Sequence, residues 1–210
     1  MDHNLYSSAR SPESLAQACA TNELPLRSGR HLALARLCNA IDAMFGACAH
    51  LPEPSHSSFF ARSMRVALQE AAADAELLTP AQREGSVETY RRHLLAADPQ
   101  GRYAIAALVW LPHQASPVHA HHTWCGYAVI EGTLQETVFE WDDSQQCASV
   151  ARSQARTPGA VSFVRSGRGS IHRLGNCSDA PAVSLHIYGV AGAHIGTHVN
   201  DVVRVAPALV

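Results

Sequence analysis

The chain has 210 residues, of which 47% are hydrophobic and 16% are charged, and its formal net charge is -2. This length predicts one domain with a sizeable core, and the balanced charge gives no support to a disordered chain or to a nucleic-acid partner. Histidine stands out with 13 residues. Such enrichment directs attention to metal ligation or proton transfer.

The cysteines are widely spaced and include no C-x-x-C pair, which predicts reduced thiols and a cytoplasmic protein. The first residues lack the basic and apolar segments of a secretory leader, and no stretch is long and apolar enough to cross a bilayer. We therefore expect no membrane partner. The six cysteines are Cys19, Cys38, Cys48, Cys125, Cys147 and Cys177.

Helices are predicted in the first part of the chain. Residues 1–30 are polar with one brief apolar patch, which indicates a flexible N-terminal arm. Apolar residues then recur at helical spacing from His31, a second such run begins at about Ser57, and a third short piece begins at Thr79, ahead of a proline. These runs predict a helical layer over about 31–95.

After residue 100, short apolar runs alternate with turn residues, which is the spacing of an all-β barrel or jelly roll. We expect a β-barrel over about 100–205, so that 31–210 forms a single domain. The predicted strands are Tyr103–Leu111, Gly126–Glu131, Leu134–Phe139, Ala160–Val164 and Val183–Tyr188.

Two histidine segments flank the predicted barrel strands. His119 and His121 lie two residues apart, so an extended chain puts both imidazoles on one face. Alone, the pair fits a metal site less well than it fits two solvated or hydrogen-bonded histidines. The second segment follows a glycine-rich turn and contains His172 and, four residues later, Asn176.

Together the two segments resemble the cupin superfamily, whose motifs carry H-x-H with a later glycine, here Gly132, and H-x-x-x-N. The resemblance covers roughly 103–190. It implies a mainly β fold, a double-sheet jelly-roll barrel with an α-helical N-terminal part. It also implies that one metal ion is held by His119, His121 and His172.

Many cupins add a glutamate ligand shortly after H-x-H, but here those positions hold Cys125 and Gly126. Three neutral imidazoles leave the centre one charge unit more positive than two histidines and a carboxylate would. This favours an anionic ligand such as a thiolate.

Within the cupins, the three-histidine set resembles the thiol dioxygenases, the family of cysteine dioxygenase and 3-mercaptopropionate dioxygenase. The segment Ser184-Leu-His186-Ile-Tyr188 matches the S-x-H-x-Y motif of that family, and strand periodicity places its three polar side chains on one face. The resemblance implies a relay in which Tyr188 lies nearest the iron and Ser184 orients His186. The segment alone also fits a half-solvated strand.

The segment Tyr90-Arg-Arg92-His-Leu94 resembles the Y-x-R-x-L element of cysteine dioxygenases, in which the arginine pairs with the substrate carboxylate. A guanidinium can grip a carboxylate bidentately. The mercaptopropionate enzymes typically carry glutamine at that position, yet Gly189-Val190 after the tyrosine resembles their branch. The substrate stays open, and Arg92 also fits a solvated residue at a helix end.

The mammalian cysteine dioxygenases join a cysteine to the tyrosine of S-x-H-x-Y, five residues after the second ligand. Here that position is Gly126, as in bacterial members, so no crosslink is expected. Cys125 would reach Tyr188 only if the chain is irregular after the ligands. His122 is expected to face away from the site.

The resemblance implies an oxidoreductase that binds one Fe(II) per chain. It would use O2 as co-substrate and add both oxygen atoms to the sulfur of cysteine or 3-mercaptopropionate, giving a sulfinate. The expected partner is this small thiol, with no nucleic acid and no membrane, and the chain is expected to be a monomer or a weak homo-oligomer. The alternatives are a metal-dependent isomerase, another dioxygenase, or a non-catalytic cupin that binds a small ligand.

Overall fold

The computed structural model describes residues 29–207. The arm predicted for 1–30 therefore lies outside the described residues, apart from the two that begin the first helix. The five cysteines within the described part are unpaired. None of the helices described is long and apolar enough to cross a membrane.

Two α-helices and two short 3-10 turns precede the sheets, where apolar periodicity predicts helical structure. They are α1 (Gly29–Ala47), a turn at Pro54–His56, α2 (Ser58–Ala72) and a turn at Pro80–Arg83. The hydroxyl of Ser57 accepts a hydrogen bond from the backbone N–H of Phe59 and so caps α2. Thr79 and Gln82 form a reciprocal capping box around the second turn.

Within residues 29–207, ten strands form two five-stranded antiparallel sheets, and the predicted fold class, a mainly β double-sheet barrel with a helical N-terminal part, is confirmed. The first sheet has the order β1-β2-β9-β4-β7 and the second the order β10-β3-β8-β5-β6. The strands are β1 Arg91–Ala97, β2 Ala104–Trp110, β3 His119–His121, β4 Cys125–Glu131, β5 Leu134–Asp142, β6 Cys147–Arg156, β7 Val161–Val164, β8 Gly167–Gly175, β9 Ala182–Tyr188 and β10 Asn200–Val202.

The helical layer ends earlier than predicted, because residues 91–97 form β1 and not the end of a helix. The segment is rich in residues that favour helices, but its backbone pairs with β2 from Arg91 opposite Val109 to Ala97 opposite Ala104. Sheet pairing thus overrides local propensity. The change matters for the site, because it puts Arg92 on a strand that borders the barrel.

Strands β2 and β9 are buried on both faces, since each lies between the helices and the second sheet. Ile105, Ala107 and Val109 pack with the helical residues, whereas Ala106 and Leu108 pack with side chains of the second sheet. The same alternation on β9 sends Ser184, His186 and Tyr188 towards the barrel interior.

Helix α2 packs on the outer face of the first sheet, against β4 and β7. The helix approaches the sheet closely at Gly126, where an added Cβ would lie 2.8 Å from Leu68 Cδ1 and 3.5 Å from Met64 Cγ. Gly126 therefore faces the helices. Its neighbour Cys125 faces the barrel interior.

Candidate metal centre and active site

Three histidines converge inside the barrel. His119 and His121 lie on β3, and His172 lies on the neighbouring strand β8, directly opposite His119 in the register. One ring nitrogen from each lies within 4.8 Å of the others, and the side chains are buried. The structure therefore brings together the predicted ligands.

The hydrogen bonds of these rings leave nitrogen lone pairs free for a metal. Nδ1 of His119 lies 2.9 Å from the carbonyl oxygen of Pro117, which can only accept a hydrogen bond, so Nδ1 carries the proton. Nε2 therefore keeps a lone pair that can bind a metal ion. Burial, and then the proximity of His172, lower the pKa of His119 to about 4 and that of His121 to about 2. These two imidazoles are thus neutral near pH 7 and fit a transition-metal ion.

His172 has a buried acidic partner. Its Nδ1 lies 2.9 Å from Oε1 of Glu136, a residue of β5 that is 5% exposed. The second carboxylate oxygen accepts a hydrogen bond of 2.9 Å from Gln154 and lies 3.6 Å from Nε of Arg156. Sequence reasoning missed Glu136 because 36 residues separate it from His172.

Burial alone would raise the pKa of Glu136. The hydrogen bond and electrostatic interaction with His172, the hydrogen bond from Gln154 and the charge of Arg156 outweigh it and lower the pKa to about 2. Glu136 is therefore a carboxylate near neutral pH. A carboxylate on the far nitrogen of a ligating histidine fixes the tautomer and ring orientation of that histidine.

The S-x-H-x-Y side chains form a continuous hydrogen-bond chain. Oγ of Ser184 lies 2.9 Å from Nε2 of His186, and Nδ1 of His186 lies 3.1 Å from the hydroxyl of Tyr188. A fourth member, Trp110, donates its indole N–H to Oγ of Ser184 over 2.9 Å. Trp110 was not among the predicted site residues, and its strand pattern alone marks it only as a core residue.

Tyr188, His186 and Arg92 line the same cavity as the three histidines. The guanidinium carbon of Arg92 lies 5.8 Å from the centre of the Tyr188 ring and 6.0 Å from that of Tyr90. Within residues 29–207, its Nε is buried and has no hydrogen-bond partner. A half-buried cation thus faces a cavity that also holds the candidate metal ligands.

Cys125 also lines this cavity, and the register of β4 and β9 places it directly opposite Tyr188. Strand β3 ends at His121 and β4 begins at Cys125, so the intervening residues are irregular. This is the condition under which Cys125 was expected to reach the tyrosine. Gly126, the residue five positions after His121, faces α2 instead.

His122, which was expected to face away from the site, is exposed. Tyr90, the first residue of the Y-x-R-x-L segment, also lines the cavity. Ser116 and Asn200, which sequence reasoning did not single out as site residues, complete the polar part of the wall.

Comparison with known proteins identifies a family. The family model described as "Cysteine dioxygenase type I" matches residues 84–193. Cysteine dioxygenase type 1 of Homo sapiens is 30% identical over 102 residues, which is 47% of this chain and 50% of that protein. The enzyme of the same name from Danio rerio is 31% identical over 103 residues, with the same coverage. The chain thus spans about half the length of the curated relatives it matches.

Among solved structures, TT1209 from Thermus thermophilus is 22% identical with a TM-score of 0.42, over 54% of this chain and 96% of that one. The family match is the more informative finding, because its range contains Arg92, the histidine triad and the whole S-x-H-x-Y segment. With more than half of its length inside that match, the chain belongs to the cysteine dioxygenase type I family.

Proposed function

We propose that this protein is an iron-dependent thiol dioxygenase that converts a small thiol carboxylate into the corresponding sulfinate. One observation carries the proposal. Three buried histidines share a single cavity with the Tyr188 end of a hydrogen-bond chain and with the half-buried guanidinium of Arg92. The family match supports the same activity.

His119, His121 and His172 would hold one Fe(II) ion. When bound, the iron would supply the redox chemistry that lets a thiolate react with O2. The overall reaction balances as one thiol plus one O2 giving one sulfinic acid, so both oxygen atoms end on sulfur and no external reductant is consumed. The uncharged ligand set favours binding of the thiol in its anionic form.

Arg92 would orient the substrate. Its guanidinium offers several N–H donors in a fixed plane, which suits the two oxygens of a carboxylate. No carboxylate is found among the described residues that line the cavity. The amino group of cysteine would therefore meet no acidic partner there. A thiol that has a carboxylate but no amino group, such as 3-mercaptopropionate, is equally compatible with the residues that line the cavity.

Tyr188 would act as a hydrogen-bond donor beside the reacting atoms. Burial, and then the neighbouring Cys125, raise the pKa of the Tyr188 hydroxyl above its ordinary value. The hydroxyl therefore keeps its proton near neutral pH. A neutral donor of this kind stabilises negative charge on sulfur or oxygen without adding a charge of its own.

The proposal is tested by loading the metal-free protein with Fe(II) under anaerobic conditions and then adding O2 with cysteine or 3-mercaptopropionate. We expect one O2 consumed per sulfinate formed, measured with an oxygen electrode and by mass spectrometry. Loading with Zn(II) should give no turnover, and neither should the His172→Ala variant. Iron-loaded protein that oxidises neither thiol would refute the proposal.

A further inference from the structure

Glu136 occupies an unusual position for an acidic residue, because it is buried behind a metal ligand and does not itself reach the candidate metal. One of its oxygens faces Nδ1 of His172, and the other accepts a hydrogen bond from Gln154 and lies 3.6 Å from Nε of Arg156. Both oxygens are thus anchored on the side of the ring away from the triad. The carboxylate is rigid, charged and separated from the metal position by one imidazole.

We propose that Glu136 is a positioning residue that supplies, through His172, the negative charge that the three-histidine ligand set lacks. The proposal rests on the function proposed above only in taking iron as the metal. Its physical content is that a hydrogen bond to a carboxylate makes the imidazole a stronger electron donor and holds the ring in one orientation.

The arrangement gives the centre charge compensation without using a coordination position. A glutamate bound directly to the metal would lower the charge of the site by one unit, but it would also occupy a place that substrate or O2 needs. Glu136 lies outside the ligand set, so its charge would act on the metal while the coordination positions for substrate and O2 stay unoccupied by protein. It should therefore favour retention of the metal and, since Fe(III) carries more charge than Fe(II), the oxidised ion most of all.

The contacts also explain why the charge stays in place. Arg156 donates through another nitrogen to the carbonyl of Val161 over 2.8 Å, which fixes the guanidinium beside Glu136. Gln154 and Glu136 face each other across the paired strands β5 and β6. Four neighbouring side chains, from β5, β6 and β8, thus form one ordered polar group behind the metal position. They are Glu136, Gln154, Arg156 and His172.

Two substitutions separate the charge from the contact. Glu136→Gln keeps an oxygen that can accept from His172 but removes the charge, whereas Glu136→Asp keeps the charge but withdraws it by one methylene. Glu140→Gln is the matched control, because Glu140 lies four residues along the same strand and is exposed.

The readouts are the dissociation constant for Zn(II), measured by chelator competition on the metal-free protein, and the Fe(III)/Fe(II) potential of the iron-loaded protein. We expect Glu136→Gln to weaken zinc binding by about 10- to 100-fold and to raise the potential, while Glu140→Gln changes affinity less than about twofold. Glu136→Asp should fall between them, and it replaces Glu136→Gln as the test if that variant does not fold.

The proposal is overturned if folded Glu136→Gln keeps the wild-type zinc affinity and the wild-type Fe(III)/Fe(II) potential. The same criterion applies to Glu136→Asp where it replaces that variant. Neither measurement involves a thiol or turnover. A protein that binds metal with the expected dependence on Glu136 but oxidises no thiol would therefore refute the proposed function and leave the role of Glu136 intact.

Discussion

At the scale of single residues, the donors and acceptors available fix the direction of the hydrogen bonds that link Trp110, through Ser184 and His186, to Tyr188. An indole N–H can only donate, so Ser184 must accept from Trp110. Within the described residues, the only acceptor in reach of the Ser184 hydroxyl is then Nε2 of His186. His186 therefore carries its proton on Nδ1 and donates to the oxygen of Tyr188, which leaves the Tyr188 proton free to point into the cavity.

This direction predicts a single tautomer of His186. Burial, followed by the charge of Arg92, lowers the pKa of His186 well below its ordinary value, so the ring is neutral near pH 7. Two-bond ¹H–¹⁵N correlation spectra of the metal-free protein should show the Nδ1–H form. Tyr188→Phe should leave that form in place, whereas Ser184→Ala should shift the population. If the tautomer instead changes in Tyr188→Phe and not in Ser184→Ala, the hydrogen bonds run in the opposite direction, from Tyr188 towards Ser184.

The second prediction at this scale concerns Arg92. Arg92→Gln removes a charged donor to the substrate carboxylate, and such hydrogen bonds contribute about 1.5–3 kcal/mol. We expect kcat/KM for 3-mercaptopropionate to fall about 10- to 100-fold, mainly through KM, as measured by oxygen uptake. Cysteamine, which has no carboxylate, should be used equally by variant and wild type.

Arg91→Gln is the matched control for that experiment, because Arg91 is the exposed neighbour on the same strand. It should leave both substrates unaffected. An equal loss for 3-mercaptopropionate and cysteamine in Arg92→Gln would show that Arg92 supports the fold of the cavity and does not bind a carboxylate.

At the scale of elements, β4 and β5 belong to different sheets, and the turn between them depends on Gly132. Gly132 has φ +68°, and an added Cβ would lie 2.7 Å from the carbonyl oxygen of Pro181 and 2.9 Å from Cα of Ala182. The cupin motif glycine is thus explained by backbone conformation and by the approach of β9.

Gly132→Ala should lower the free energy of unfolding by about 2–4 kcal/mol in urea titrations, because left-handed strain and a backbone collision add together. Gly159→Ala separates the two effects, since Gly159 has φ +84° but nothing within 4 Å of the added Cβ. We expect it to cost only about 1–2 kcal/mol. Equal losses for the two variants would exclude the collision with the β9 segment.

The same scale explains which strands the sequence could predict. Strands β2, β4 and β9 are apolar runs and were predicted close to their observed bounds. Strand β6 was missed because it is mostly exposed and polar. Strand β1 was missed because its residues favour helices, and only the pairing with β2 makes it a strand. Local patterns report burial, whereas exposed strands such as β1 and β6 depend on partners that are distant in sequence.

At the scale of the whole molecule, the two sheets contribute different halves of the candidate site. The second sheet carries the histidine triad and Glu136, whereas the first carries Arg92, Trp110 and the S-x-H-x-Y segment. Motifs could predict most of these residues because each motif is local. Trp110 and Glu136 could not be predicted, because their roles arise only when the strands pair and the sheets face each other.

The barrel interior also sets how stability depends on pH in the metal-free protein. Three imidazoles are kept neutral by burial, with pKa values of about 4 for His119, about 2 for His121 and well below the ordinary value for His186. In the unfolded chain each titrates near about 6.5. Below that pH the unfolded chain binds protons that the native protein excludes. The stabilisation is therefore present above about pH 6.5 and is lost as the pH falls.

Urea unfolding of the metal-free protein at pH 7, 6 and 5 should accordingly give a free energy of unfolding that becomes smaller as the pH falls. The decrease should be at most about 1.4 kcal/mol per pH unit for each buried imidazole. His121→Asn removes one of the three groups and should make the dependence shallower. His122→Asn, the exposed neighbour, should leave it unchanged. Glu136 and Asp98, both with pKa lowered to about 2, add a loss of the same sign at lower pH. Equal stability at pH 7 and pH 5 would mean that the native barrel accepts protons on these histidines as readily as the unfolded chain does.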